Sequence, residues 1–187
     1  MDISAMIAKS KFCMIILHES QYLSKLQEIV KSVEKTPGKI CYICLNNPYL
    51  DVKADLLDKG IDVGKFFFID TLASKSARQD GSDCIFLRSA GNLQELRLAI
   101  NRAVEEKMCR VLMFDTISTL LIYQQSSSIL SFTHKLMTGM TQSDVRKLFI
   151  VLKDEEVPGG TEALSKDLGM FADQMLDMTS ARKEKVV

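Results

Sequence analysis

The 187-residue chain contains no Gly-x-x-x-x-Gly-Lys-Ser/Thr segment. Its absence removes the loop whose backbone N–H groups cradle nucleotide phosphates. Net charge is also missing: 24 basic and 24 acidic side chains cancel, with a pI near 6.7. The electrostatic footprint of a general nucleic-acid binder is therefore not there. Arg182-Lys183…Lys185 is the only basic cluster near a terminus, and it reads as a solvated tail. No apolar run approaches the ~20 residues of a membrane helix. Met1-Asp2-Ile3-Ser4 places an acid where a secretory signal is basic. The five cysteines, an odd number, suit a reducing compartment. Together these features point to a cytoplasmic protein without a membrane partner.

What is present is a substantial core. Hydrophobic residues make up 47% and charged residues 26%, the balance of an ordinary globular domain, and the length suits one domain. Short apolar runs alternate with amphipathic stretches. Residues 11–17, 39–45, 65–70, 84–88, 110–115 and 147–152 read as strands. Helices are expected over 20–35, 51–59 and 93–107. Gly60 stands at a C-cap position, and Asn92 with Glu95 forms a capping-box pattern. Ser126-Ser127-Ser128 can cap a helix carrying Ile129, Leu130, Thr133, Leu136, Met137 and Met140. After Pro158-Gly159-Gly160, Thr161 can cap a last helix with Leu164, Leu168, Phe171 and Met175 inward. Pro37-Gly38 marks a turn, and the polar stretch 74–83 an exposed loop. Strands that are apolar throughout and separated by helices imply a mainly parallel sheet covered on both faces. One echo stands out: Phe68-Ile69-Asp70-Thr71-Leu72 against Met113-Phe114-Asp115-Thr116-Ile117. Two parallel strands that end alike can produce it without duplication.

Few residue groupings carry chemistry. Cys41-x-x-Cys44 lies within an expected strand, where positions three apart face opposite sides. One tetrahedral metal could not collect both thiols, so they read as buried cysteines. Met137 and Met140, at helical spacing, read as core. Of the two histidines, His134 falls on a helix, and His18 at a strand C-terminal end, where open α/β sheets place their sites. His18, Glu19 and Asp115 could form a small polar cluster with enzymatic potential. Asp70 and Asp115 each invite a phospho-acceptor reading, but that chemistry wants an acidic pair after the first strand. His18-Glu19 supplies one acid.

In order and spacing, four segments resemble the RecA superfamily, specifically its KaiC-like and RadA-like ATPase domains. They are Lys39 to Leu45, Leu56-Leu57-Asp58-Lys59-Gly60-Ile61-Asp62-Val63, Phe66 to Leu72, and Val111 to Leu121. The last resembles the Walker B strand, with Asp115 at the metal-side acid. The resemblance spans roughly residues 11–155 and implies an α/β three-layer sandwich of RecA-like (P-loop NTPase-like) type. On this reading residues 1–187 form a single RecA-like domain with a short flexible tail from about 178.

Departures from the family pattern decide the expected chemistry. The family's phosphate loop supplies backbone N–H groups, a lysine and a magnesium-binding hydroxyl. At that place this chain has His18-Glu19-Ser20-Gln21-Tyr22, without glycine and with an acid that would repel phosphate. The family also places a water-activating glutamate after its second strand. Here Asn46-Asn47 stands there, and an amide is no general base. The expectation is a domain without ATPase machinery and without a cofactor, acting as a regulatory or scaffolding protein-interaction module that self-associates, a dimer being preferred. The alternatives are a nucleotide or small-anion binder without hydrolysis, and an enzyme built on His18, Glu19 and Asp115. Candidate residues of the vestigial cleft are His18, Glu19, Asn46, Asp115 and Lys153. A metal is expected only if Asp115 keeps its Walker B role; otherwise it caps the turn after its strand.

Overall fold

Residues 3–72, 81–139, 145–153 and 160–179 are described by the computed structural model. Most of the expected polar loop, the Pro158-Gly159 turn and the basic tail lie outside them. Seven strands form one sheet: β1 (Phe12–His18), β2 (Lys39–Cys44), β3 (Phe66–Asp70), β4 (Cys84–Phe86), β5 (Cys109–Phe114), β6 (Arg146–Lys153) and β7 (Gln174–Asp177). Their order is β4-β3-β2-β5-β6-β1-β7, and every pairing is parallel. The helices are α1 (Ile3–Lys9), α2 (Tyr22–Glu34), α3 (Tyr49–Asp58), α4 (Leu93–Glu105), α5 (Ser126–Thr138) and α6 (Gly160–Gly169).

The strands read as continuous apolar runs because both sheet faces are covered. Phe12, Met14 and Ile16 of β1 pack with α4, α5 and α6, while Cys13, Ile15 and Leu17 pack with α1, α2 and α3. The result is the expected three-layer α/β sandwich. Cys41 and Cys44 fall into the two different cores, as their spacing on a strand requires. On the α4–α6 side, the Phe149 ring stands edge-on to Phe12 at 4.8 Å and to Phe114 at 4.6 Å between centroids.

Local signals mostly operate as read. Asn92 accepts the Glu95 N–H at 3.1 Å and so caps α4. Three readings are corrected, the first being that Thr161, expected as a cap, lies inside the last helix, which already includes Gly160. The serines of α5 are its first turn rather than its cap, because Gln125 takes that position and its carbonyl already accepts from Ser128 and Ile129. The last helix ends at Gly169, and the chain then forms β7 beside β1. Phe171 and Met175, expected inward, are 45% and 53% exposed. The spacing of Leu164, Leu168, Phe171 and Met175 imitates a helical stripe, but the burial pattern of β7 alternates with period two.

The Pro37-Gly38 turn is tightly constrained. Gly38 has φ of 95°, and a Cβ there would lie 2.9 Å from the Cβ of Arg110. Arg110 occupies that space because the β2–β5 register shifts between Lys39 and Ile40, whose partners are Cys109 and Val111. Gly38→Ala is expected to cost about 1–3 kcal/mol through strained backbone and this clash. The measurement is a lower urea midpoint at unchanged denaturant slope.

Candidate functional site

Every strand is parallel, so the loops that follow the strands gather along one sheet edge, where open α/β folds build their sites. Two buried carboxylates organise that edge. Asp115 follows β5 and is fully buried. Its Oδ1 accepts N–H bonds from Leu45 at 3.0 Å and from Thr116 at 2.7 Å, and its Oδ2 accepts from Asn46 at 3.2 Å. Asp70 ends β3 and is equally buried. It accepts from Tyr49 N at 2.9 Å and from Leu72 N at 2.7 Å.

β3 and β5 are the two neighbours of β2. The carboxylates therefore grip the β2–α3 connection from opposite sides. Asp70 also supplies what α3 lacks locally, since its N-cap residue is Pro48 and makes no side-chain cap bond. The aspartates act alike but the threonines after them differ: Thr71 Oγ1 donates to the Cys44 carbonyl at 2.8 Å, whereas the buried Thr116 hydroxyl has no hydrogen-bond partner. The sequence echo of the two strand ends is thus a repeated structural task on either side of one strand.

Asp115 carries its charge at a cost. Burial pushes its carboxyl up to about 7, against the pull of its three backbone N–H donors, and the charge of Asp70 pushes the same way. Burial, with the charge of Asp115 next, also raises the Tyr22 hydroxyl, which stays protonated.

At the end of β1, the first turn is a 3-10 turn, Glu19–Gln21, running directly into α2. His18 Nδ1 lies 3.0 Å from the Ser20 hydroxyl. Glu19 and Asn46 share the wall of a cleft of about 1050 Å³, whose lining includes Ser118, Leu121 and Leu152 from beyond β5 and from β6. Two lining side chains are held in place: Ser118 Oγ accepts from Leu152 N at 2.9 Å, and Gln124 Nε2 donates to the Gly91 carbonyl at 2.7 Å. The buried Ser126 hydroxyl, also in the lining, has no hydrogen-bond partner. Lys153 pairs in register with His18 but lines a second, more apolar pocket of about 470 Å³ with Ile16, Met170, Met175 and Asp177. The pockets share Leu152 and Thr161.

The five sequence candidates thus lie along one edge in four settings, with His18 turned to Ser20 of its own turn and outside the lining of both pockets. Glu19 and Asn46 face the large cleft, Lys153 faces the smaller pocket, and Asp115 lies under the β2–α3 connection with both oxygens engaged. Asp70, as a clamp, was invisible to sequence reasoning, as was the polar wall of α5. No group of three or more metal-ligating side chains occurs among the described residues, and no described helix is long and apolar enough to cross a membrane.

The architecture and topology are those of a KaiC/RecA-like α/β fold. KaiC-like protein PH0186 from the hyperthermophilic archaeon Pyrococcus horikoshii OT3 is similar in structure, with a TM-score of 0.62 at 14% sequence identity. The match covers 92% of this chain and 75% of that one. No family model matches the sequence, and no curated protein does.

Proposed function

We propose that this chain is a KaiC-like domain without ATPase activity that serves as a regulatory or scaffolding protein-interaction module. The observation that carries the reading is the engagement of Asp115. Both oxygens hold backbone N–H groups of its own turn and of the neighbouring connection. Three of the carboxylate's four acceptor positions are thus used, and the side chain is fully buried, so a metal ion would find one position left on Oδ2, beneath the connection that the same carboxylate holds. Further support comes from Glu19 in place of a glycine nest and Asn46-Asn47 in place of a base. Exposed apolar side chains such as Leu23, Ile122 and Met170, 67–76% accessible, with zero net charge, favour self-association as a dimer. Light scattering across micromolar concentrations reads that state directly; a strict monomer contradicts it.

The test of the main reading is a thermal-shift and phosphate-release measurement with ATP and magnesium. The expected result is no shift beyond that of the buffer salts and no release above background. Micromolar ATP affinity, or phosphate release abolished by Asp115→Asn, overturns the proposal. A second reading is favoured by the large cleft at the strand ends: a domain that binds a small molecule there without hydrolysing it.

A further inference from the structure

The large cleft has a chemical character that narrows its ligand, and the argument rests on the second reading, that the cleft binds a small molecule. Among the described residues its lining contains one charged side chain, Glu19, and no lysine, arginine or histidine. The nearby cation, Lys153, lines the other pocket. A phosphate entering this space meets a carboxylate and no balancing charge. The two negative charges repel each other.

The remaining polar lining is neutral and two-sided in hydrogen bonding. Asn46 and Gln125 bring amides that both donate and accept, and Thr119, Ser126 and Ser128 bring hydroxyls. Gln125 caps α5 without a side-chain bond to the helix, and the buried Ser126 hydroxyl is unpartnered. The Glu19 carboxylate, an acceptor only, suits a ligand rich in O–H donors. Beside these groups stands the ring of Tyr123, 46% exposed, next to Leu121 and Ile122 in the same wall. Apolar and polar side chains thus share the lining, the combination that fits a ring with hydroxyls on its edge and C–H groups on its face.

We infer that the cleft binds a neutral, polyhydroxylated ring, either a free sugar or the ribose of a nucleoside, and discriminates against its phosphorylated forms. Glu19 accepts from ring hydroxyls, the amides and serines complete the polar contacts, and Tyr123 covers the apolar face.

The experiment is calorimetric titration of the full chain with glucose, maltose, adenosine, AMP and ATP, repeated for Glu19→Lys and Tyr123→Ala, two exposed positions whose replacement leaves the core intact. At least one neutral probe is expected to bind with Kd below about 1 mM, and AMP at least about tenfold more weakly than adenosine. Saturation by a sugar alone identifies a free-sugar site; saturation by adenosine alone identifies a nucleoside site. Glu19→Lys is expected to narrow or invert the adenosine-to-AMP preference, and Tyr123→Ala to weaken the neutral ligand about fivefold or more. If AMP or ATP binds more tightly than the neutral probes, the inference is overturned while a ligand-binding cleft stands. If none of the five binds at about 10 mM, where even a weak site of Kd near 1 mM fills, the inference and the second reading fall together.

Discussion

Asp115→Ala is expected to destabilise the fold by about 3–5 kcal/mol, because it strips the acceptor from three backbone N–H groups at once. Leu45 is buried and Asn46 is not, so the Leu45 and Thr116 donors carry most of the penalty. Asp115→Asn keeps one oxygen for Leu45 and Thr116 but turns an amide NH₂ toward Asn46, and is expected to cost about 1–2 kcal/mol. The wild-type side chain adds a pH signature. Its folded value, about 7, lies above the ordinary carboxylate value of 3.8. Its contribution is therefore fully present below about pH 4 and is lost as pH rises through 7. Urea titrations between pH 5 and 8 should show wild type losing stability relative to Asp115→Asn, by an amount on the order of a few kcal/mol. A pH-independent difference between the two proteins would contradict the buried charge, and a wild-type stability in Asp115→Ala would contradict the clamp. A magnesium-dependent gain in wild type that Asp115→Asn lacks would instead return Asp115 to a metal role.

Phe149→Ala is the second large expectation. Phe149 is fully buried in the middle of β6 and touches the rings of Phe12 and Phe114 edge-on. It thereby joins side chains from three adjacent strands, since β6 lies between β5 and β1. Removing the ring forfeits burial, leaves a cavity and ends two aromatic contacts, at a cost of about 3–5 kcal/mol. Phe149→Leu refills part of the space and should recover a large share. Urea midpoints of the two variants, compared with wild type, test both statements; equal midpoints would show a sheet face able to collapse around the gap.

The sheet was legible because burial on both faces writes itself into a sequence as apolar runs, and six of its strands were read from such runs. β7 was not, because Gln174-Met-Leu-Asp177 is short, half polar and follows α6 at a spacing that extends its stripe. α1 escaped notice because seven residues give barely two turns of periodicity. At the strand ends, the acids were visible and their work was not. Asp115 could be seen as a cap for its own turn, but its bonds to Leu45 and Asn46 span 70 and 69 positions, and no local pattern encodes them. The place of Asp70 at the head of α3 depends likewise on strand order, which residue spacing does not state. The wall of the cleft draws on residues after β1, β2 and β5 and on the starts of α5 and α6, and becomes one surface only when the sheet is assembled.

The position of β1 bears on how the chain is made. Its neighbours are β6 and β7 alone, so the first of these seven strands to be synthesised has no partner in the sheet until Arg146 and the residues after it have followed. β2 through β5, by contrast, pair among themselves. Vectorial synthesis thus leaves Phe12–His18, six of its seven residues buried in the finished sheet, waiting in a nascent chain with α1 and α2 as its nearest cover. Closing the sheet is a late, long-range event, of the kind that slows folding and exposes an apolar strand to wrong pairings. A circular permutant that begins at β2 and carries β1 after β7 would bring the strand to its partners in sequence order.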